Sequence, residues 1–296
     1  AVELIKGIAG TSVRIEVKTP TDEKIRRFTV KRAKIPVESV KGDVRTSDDR
    51  WNFTLMERPG IGYVRIESFG EHTAGELKVA LRFIRESRAF GLIIDLRDNS
   101  GGLLDAAVDI SDMFIRSGSI VSTRGRNNVI QTEREAGDKV EVPMTLPLVV
   151  LVNQRSASAS EIVAACLQDH RRATVIGERS WGKGTVQNVF EFEGGRSALK
   201  LTTASYWRPS GVNIHRDPED TLDDVWGVSP NEGMTINLDE VQLAAMMVHR
   251  QLRDVVPRRD GYVLDHTDQP ALLEIDTQIR KAVEFLEQQK VGPAQL

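Results

Sequence analysis

The chain has 296 residues, 40% of them hydrophobic, and a formal net charge of −3, which suits one large hydrophobic core or two smaller ones. Charges of both signs are interspersed, so no basic block predicts a nucleic-acid partner, and the single cysteine excludes an internal disulfide and a multi-cysteine metal site. The longest apolar runs are far shorter than the roughly 20 residues that a membrane span needs.

The sequence pattern of residues 1–41 predicts a small β-rich unit. The chain opens on a helix-like pattern at residues 1–5, so we expect an N-terminal part, with any targeting segment, to precede it. Two alternating stretches, 13–17 and 27–30, predict strands separated by a turn. A unit this short buries little by itself, and we therefore interpret it as half of a domain.

Strand and helix patterns alternate after about residue 44. Apolar runs or alternation predict seven strands, at 61–66, 91–96, 120–123, 147–152, 173–177, 186–192 and 198–206. Helical spacing predicts five helices, at 73–87, 102–115, 159–169, 238–254 and 275–289. The first of these helices begins with a capping-box pattern, Thr73 to Glu76, and the polar stretch 124–142 is predicted to be a surface excursion. This order predicts an α/β core with stacked parallel strands.

Ser158 lies where the strand 147–152 gives way, after a short turn, to a helix. Ser158 to Glu161 also fits a capping box, so a structural helix cap is one interpretation. The other is a nucleophile, because a hydroxyl at a helix start lies beside free N–H groups that stabilise a developing oxyanion. Spacing alone leaves Ser156 and Ser160 as competitors.

Lys183 lies between two glycines, twenty-five positions after Ser158. A turn residue is the ordinary interpretation. A lysine acts as a base only after its ammonium group has been desolvated, and we expect three neighbours to form the dry wall: Trp181, Val186 and Val189. If 183–192 is a strand, Gln187 points to the same face as Lys183 and orients its amine.

The loop 95–102 leads from a buried strand into a helix and ends in Gly101 and Gly102. It is either a plain turn or a loop whose free backbone N–H groups face an anion. It lacks the ending of a phosphate-binding loop, and we expect the N–H groups of Gly102 and Ala159 to form an oxyanion hole. The five histidines lack metal-ligand spacing, so neither a metal nor a cofactor is expected.

These segments together resemble the C-terminal processing peptidases, the tail-specific serine proteases of peptidase family S41. The matching segments are GYVRI (62–66), DLRDNSGG (95–102), SASASEI (156–162), GERSWGKGTVQ (177–187) and WGVSP (226–230). The resemblance extends from about residue 1 to 235. Ser180 and Trp181 depart from the threonine and phenylalanine that are frequent in the family.

The resemblance implies a role for each candidate residue. Ser158 would be the nucleophile, Lys183 the base and Gln187 the residue that orients the lysine, with Gly102 and Ala159 as oxyanion donors. It also implies an α/β fold with a ClpP/crotonase-like spiral core of stacked strands and packed helices. The implied domains are the C-terminal half of a PDZ domain (1–41), a protease core (42–235) and a C-terminal helical extension (236–296).

The implied function is a serine endopeptidase that cleaves proteins near their C-termini, in the periplasm or cell envelope. Its partners would be protein or peptide substrates, and the sequence leaves the oligomeric state open, a homo-oligomer included. Two alternatives remain. One is an inactive scaffold that binds peptides through its PDZ domain, and the other is a crotonase-like enzyme acting on a CoA thioester.

Overall fold

The structure is a computed structural model that describes residues 2–19, 22–34, 37–138, 140–256, 258–259, 262–263 and 271–290. It divides the chain into two compact units, residues 1–38 and 39–296. Within the described residues, none of the helices combines the length and the apolar character needed to cross a membrane.

The first unit is built around one antiparallel pair of strands. It contains helix α1 (Val2–Ile5) and strands β1 (Ser12–Thr19) and β2 (Asp22–Lys31). Apolar residues lie opposite each other across the pair, as Ile15 does to Phe28. Both predicted strands are present, and the assignment of this unit to a partial PDZ domain stays a prediction.

The second unit alternates strands and helices up to residue 207 and then adds helices. Its strands are β3 (Val40–Lys41), β4 (Val44–Arg45), β5 (Trp51–Asn52), β6 (Thr54–Leu55), β7 (Arg58–Ile66), β8 (Gly91–Asp95), β9 (Ser119–Arg124), β10 (Ile130–Glu135), β11 (Leu148–Val152), β12 (Thr174–Gly177), β13 (Thr185–Phe192), β14 (Ser197–Trp207), β15 (Arg258–Arg259) and β16 (Tyr262–Val263). Its helices are α2 (Thr73–Glu86), α3 (Leu104–Asp112), α4 (Ala159–Asp169), α5 (Glu240–Arg253), α6 (Leu272–Ile275) and α7 (Thr277–Gln289).

A central sheet with the strand order β12-β11-β8-β7-β3 organises this unit, and β6 also pairs with β7. The four neighbours β12, β11, β8 and β7 run parallel. Both β8 and β11 are buried along their whole length. Continuous apolar runs are typical of strands covered on both faces, and the predicted α/β class is confirmed.

Alternate residues of these strands enter two hydrophobic cores on opposite faces of the sheet. Ile94 and Val150 pack with helices α2, α3 and α4, whereas Ile93 and Val149 pack with α6 and α7. The period of two along a strand accounts for this division. Each side chain buried in this way contributes roughly 1.5–3 kcal/mol, so the last helix, which buries Leu286, is an integral layer of the unit.

A second, antiparallel sheet has the order β10-β9-β14-β13. The sequence predicted β9, β13 and β14 and placed 124–142 in a surface excursion, without predicting that it contains the strand β10. All six residues of β10 are exposed, so its sequence carries neither an apolar run nor a clear alternation. The strand forms because its backbone pairs with β9.

The capping box predicted for α2 is wrong. Position 72 is the N-cap, and its side chain makes no capping hydrogen bond. The Glu76 carboxylate instead accepts hydrogen bonds from the Ser39 N–H (2.8 Å) and the Val40 N–H (3.0 Å). Glu76 therefore bonds a segment distant in the sequence instead of capping the first turn of its own helix.

Candidate active site

The candidate site lies in loops that follow the carboxyl ends of adjacent parallel strands. The segment after β8 contains Gly101 and Gly102, the segment after β11 leads to Ser158, and the segment after β12 leads to Lys183. Because these strands are neighbours in one parallel sheet, their carboxyl ends meet at the same edge. The sheet order therefore brings together residues that are far apart in the sequence.

Ser158 occupies a strained backbone conformation at the N-terminus of α4. Its φ is 56° and its ψ is −114°, a combination that side chains disfavour and that costs of order 1–3 kcal/mol. The Glu161 N–H donates to the Ser158 main-chain oxygen (2.9 Å), and the first turn of α4 has the capping-box arrangement of Ser158 and Glu161. A sharp strand-to-helix turn of this kind exposes a nucleophilic serine hydroxyl in α/β-hydrolases.

The two competing serines have structural hydrogen bonds. The Ser156 hydroxyl donates to the main-chain oxygen of Leu96 (2.8 Å), and the Ser160 hydroxyl donates to that of Asn99 (2.9 Å). Both side chains are fully buried, whereas Ser158 is only partly buried. Of the three, the geometry favours Ser158 for chemistry with a substrate.

The glycine loop packs directly against Ser158. A Cβ added to Gly101 would lie 2.8 Å from the Ser158 Cβ and 3.0 Å from the Ala159 nitrogen, so only glycine permits this approach. A side chain on Gly102 would collide with the main chain of Phe69. In the described part of the chain, neither the Gly102 N–H nor the Ala159 N–H has a hydrogen-bond partner. Two free donors next to a serine hydroxyl are what an oxyanion hole requires.

Glu161 links the serine segment to the lysine segment, a role that the sequence did not reveal. One carboxylate oxygen accepts from the Ser158 N–H (2.7 Å) and from the Lys183 N–H (2.9 Å). The other accepts from the Ser180 hydroxyl (2.5 Å) and the Gly182 N–H (2.6 Å). Burial raises the pKa of Glu161, and these hydrogen bonds oppose that shift. The capping pattern from Ser158 to Glu161 was the available signal, and the structure has that capping box at the start of α4.

The backbone of Lys183 lies close to that of Ser158, but the Lys183 side chain is exposed. The backbone nitrogens of Ser158 and Lys183 lie within 3 Å of the same Glu161 oxygen. The expected dry wall is not formed, because Trp181 and Val189 are each 60% exposed. No hydrogen bond joins the Lys183 amine to Ser158 within the residues that the structure describes.

Gln187 is exposed and makes no hydrogen bond to Lys183 in the described residues. Strand β13 begins at Thr185, so Lys183 precedes the strand, and the pairing with β14 shifts between Val186 and Gln187. The simple alternation that predicted one common face for the lysine and the glutamine therefore does not apply.

A cavity of about 660 Å³ opens beside Lys183. Trp226 forms part of its lining, and the guanidinium groups of Arg179 and Arg216 lie over the Trp226 ring at 4.6 and 4.5 Å from its centroid. Gly182 allows close packing here, since a Cβ at that position would lie 2.6 Å from the Arg216 Cβ. The recess is large enough for an amino-acid side chain, and charged residues of both signs line it.

The described residues contain no group of three or more histidine, cysteine, aspartate or glutamate side chains that could hold a metal ion. Cys166 is buried in α4, away from the solvent, and burial raises its pKa to about 12.

Comparison with known proteins gives a consistent result. Residues 60–232 match the sequence profile of peptidase family S41. The carboxy-terminal-processing protease of Bartonella bacilliformis is 42% identical over 225 residues, which cover 72% of this chain and 47% of that protein. The carboxy-terminal processing protease CtpA of Bacillus subtilis is 38% identical over 222 residues, or 73% of this chain and 43% of that protein. The chain thus spans about half the length of these curated relatives.

A solved structure shares the fold. The photosystem II D1 C-terminal processing protease superposes with a TM-score of 0.55 and 28% sequence identity. The superposition covers 84% of this chain and 61% of the other. The α/β architecture of the second unit is therefore one that is already found in a C-terminal processing protease.

Proposed function

The chain belongs to peptidase family S41, and on that premise we propose that it is a serine endopeptidase of the Ser-Lys type that cleaves proteins near their C-termini. The observation that carries the proposal is Ser158, which lies on a strained turn packed against the loop of Gly101 and Gly102. The curated relatives named as carboxy-terminal processing proteases support the substrate class. The family resemblance also supports a location in the periplasm or cell envelope.

In this mechanism, the Ser158 oxygen attacks the carbonyl carbon of the scissile peptide bond while its proton passes to the Lys183 amine. The oxyanion of the tetrahedral intermediate accepts hydrogen bonds from the N–H groups of Gly102 and Ala159. Lys183 then returns the proton to the leaving amine, and water hydrolyses the acyl-enzyme.

The exposed position of Lys183 sets a condition on this mechanism. Its side chain must turn from solvent toward Ser158, and its long flexible stem allows that movement. A peptide bound over the cavity beside Lys183 would exclude water there, and a desolvated amine is the form that accepts a proton. Gln187 would then hold the amine, as the resemblance implies.

The first test compares single variants on an unfolded protein substrate. We expect Ser158→Ala and Lys183→Met to fold normally and to lower kcat by at least about 1,000-fold. The matched controls are Ser156→Ala, which removes a hydroxyl bonded to Leu96, and Lys200→Met, which removes an exposed lysine from β14. Each control should keep its rate per folded molecule.

Two outcomes would contradict the proposal. Near-parental activity in Lys183→Met would rule out the dyad, and an inactive parent protein would favour the peptide-binding scaffold. Mass spectrometry of the products tests the substrate class separately. If the cuts are spread evenly along the substrate and are not concentrated near its C-terminus, the protein is a peptidase but does not select protein C-termini.

A further inference from the structure

A buried cluster of charges joins the segment after β8 to the C-terminal helices. Asp95 and Arg97 are both fully buried. The Arg97 guanidinium donates to Asp95 through Nε (2.9 Å) and Nη2 (2.7 Å), and to Asp276 through Nη1 (3.0 Å) and Nη2 (2.8 Å). Buried charges are tolerated only when they are paired and hydrogen-bonded, so Asp276, at the start of α7, completes this set.

Arg250 of α5 reaches the same cluster from another side. Its Nη2 donates to Asp95 (2.7 Å) and its Nη1 donates to Asp98 (3.1 Å). One guanidinium therefore connects the end of β8 to the first residue of the loop 98–102, which ends at the Gly102 donor. Asp98 has a φ of 65°, which side chains adopt infrequently, and its carboxylate accepts the Arg250 hydrogen bond in that conformation.

Asp98 is also bonded to the segment that carries the nucleophile. Its carboxylate accepts hydrogen bonds from the Asn153 side chain (2.8 Å) and from Arg155 Nε (2.7 Å), and its N–H donates to the Asn153 side-chain oxygen (3.0 Å). Asn153 and Arg155 follow β11 and precede Ser158. A displacement of Asp98 would thus move the oxyanion loop relative to the serine.

We propose that Arg250 is a positioning residue for the oxyanion hole, acting through Asp98 to fix the Gly102 N–H relative to Ser158. Arg250 and Asp276 lie outside residues 60–232, the part of the chain that matches the family. The C-terminal helices therefore complete the active site in addition to covering the sheet. This inference rests on the proposed function.

The chain offers a matched control one turn along α5. Arg253 is also buried and also pairs with an aspartate, its Nη2 donating to Asp43 at 2.5 Å, but Asp43 is not part of the loop 98–102. Arg250→Gln and Arg253→Gln each remove one aspartate-paired cation from the same helix, partly buried at position 250 and buried at position 253. They differ in whether the lost contact leads to the oxyanion loop.

We expect Arg250→Gln to lower kcat about 10- to 100-fold, less than the loss of an oxyanion donor itself, with little change in KM. A peptide aldehyde that forms a tetrahedral adduct with Ser158 should bind more weakly by a similar factor. Binding of uncleaved peptide, measured with Ser158→Ala as background, should not change. Arg253→Gln should keep its kcat per folded molecule. A general loss of structure would weaken aldehyde binding and peptide binding together, whereas the loss of oxyanion positioning weakens only aldehyde binding and kcat.

Equal kcat values for Arg250→Gln and Arg253→Gln would overturn the inference. If Arg250→Gln fails to fold, Asp98→Asn tests the same link from the other side and should lower kcat with unchanged KM. The double variant should lose less than the two single losses combined, because both substitutions break the contact between Arg250 and Asp98, and fully additive losses would refute the connection. An inactive parent protein would overturn the proposed function and this inference together, whereas an active parent with fully active Arg250→Gln overturns this inference alone.

Discussion

At the scale of single residues, the backbone strain at Ser158 has a measurable consequence. We expect Ser158→Gly to be more stable than Ser158→Ala by about 1 kcal/mol, although both are inactive. Glycine relieves roughly 1–3 kcal/mol of strain, and its greater freedom in the unfolded chain offsets only about 0.5–1 kcal/mol of that gain. Chemical denaturation of the two variants measures the difference.

Ser160, inside α4, provides the control for that comparison. At a helical position the order should reverse, with Ser160→Gly less stable than Ser160→Ala by about 1 kcal/mol. Finding Ser158→Gly less stable than Ser158→Ala would mean that the turn at Ser158 is not strained in solution.

At the scale of elements, the contact between the glycine loop and the start of α4 decides whether the site forms. Gly101→Ala should abolish cleavage, because its Cβ would lie 2.7 Å from the Ala157 oxygen and 2.8 Å from the Ser158 Cβ. Gly211→Ala introduces the same kind of backbone strain, at a φ of 78°, with no atom within 4 Å. That control should lose stability and keep its activity, and an active Gly101→Ala would show that the close packing is not needed.

The elements themselves were largely predictable from the sequence. Strands β8 and β11 are apolar throughout because both faces are covered, and the predicted helix 159–169 coincides with α4. Strand β10 was missed because its exposed residues carry no hydrophobic pattern. Hydrophobic periodicity in a sequence reflects burial. It therefore gives no signal for a strand that is exposed and held only by backbone pairing.

The site was predictable to a more limited degree. The strand-turn-helix order pointed to Ser158, and the glycine pair pointed to backbone donors. The link through Glu161 and the contact of Arg250 with Asp98 were not predictable, because they join residues that are distant in sequence or hidden in a capping pattern. Which charged side chains become buried partners is decided by tertiary packing.

At the scale of the whole molecule, the buried charge cluster makes stability depend on pH. Burial alone would raise the pKa of Asp95, but Arg97 and Arg250 outweigh it and hold that pKa well below its usual range. A carboxyl group with a lowered pKa stabilises the folded state above its unfolded-state value, near 3.9, and loses that contribution as the pH falls toward its folded-state value. The parent protein should therefore lose stability steadily below about pH 4.

Asp95→Asn tests this dependence. We expect it to lower the free energy of unfolding at pH 7 by about 3–5 kcal/mol, because it leaves buried cations without one of their partners, and to flatten the loss of stability below pH 4. Asp105→Asn removes an exposed partner of Arg134 and should change stability by less than about 1 kcal/mol. Denaturation curves over a pH series measure both, and parallel curves for parent and Asp95→Asn would refute the assignment.

The hydrogen bonds of the Glu161 carboxylate determine when the candidate site forms during folding. The carboxylate oxygens that accept from the Ser180 hydroxyl and from the Gly182 and Lys183 N–H groups belong to α4, so the main chain at Lys183, the proposed base, is tied to the serine segment only once that helix has formed and docked. Under the proposed mechanism, a nascent chain would therefore acquire peptidase activity only after α4 has docked and joined the serine and lysine segments.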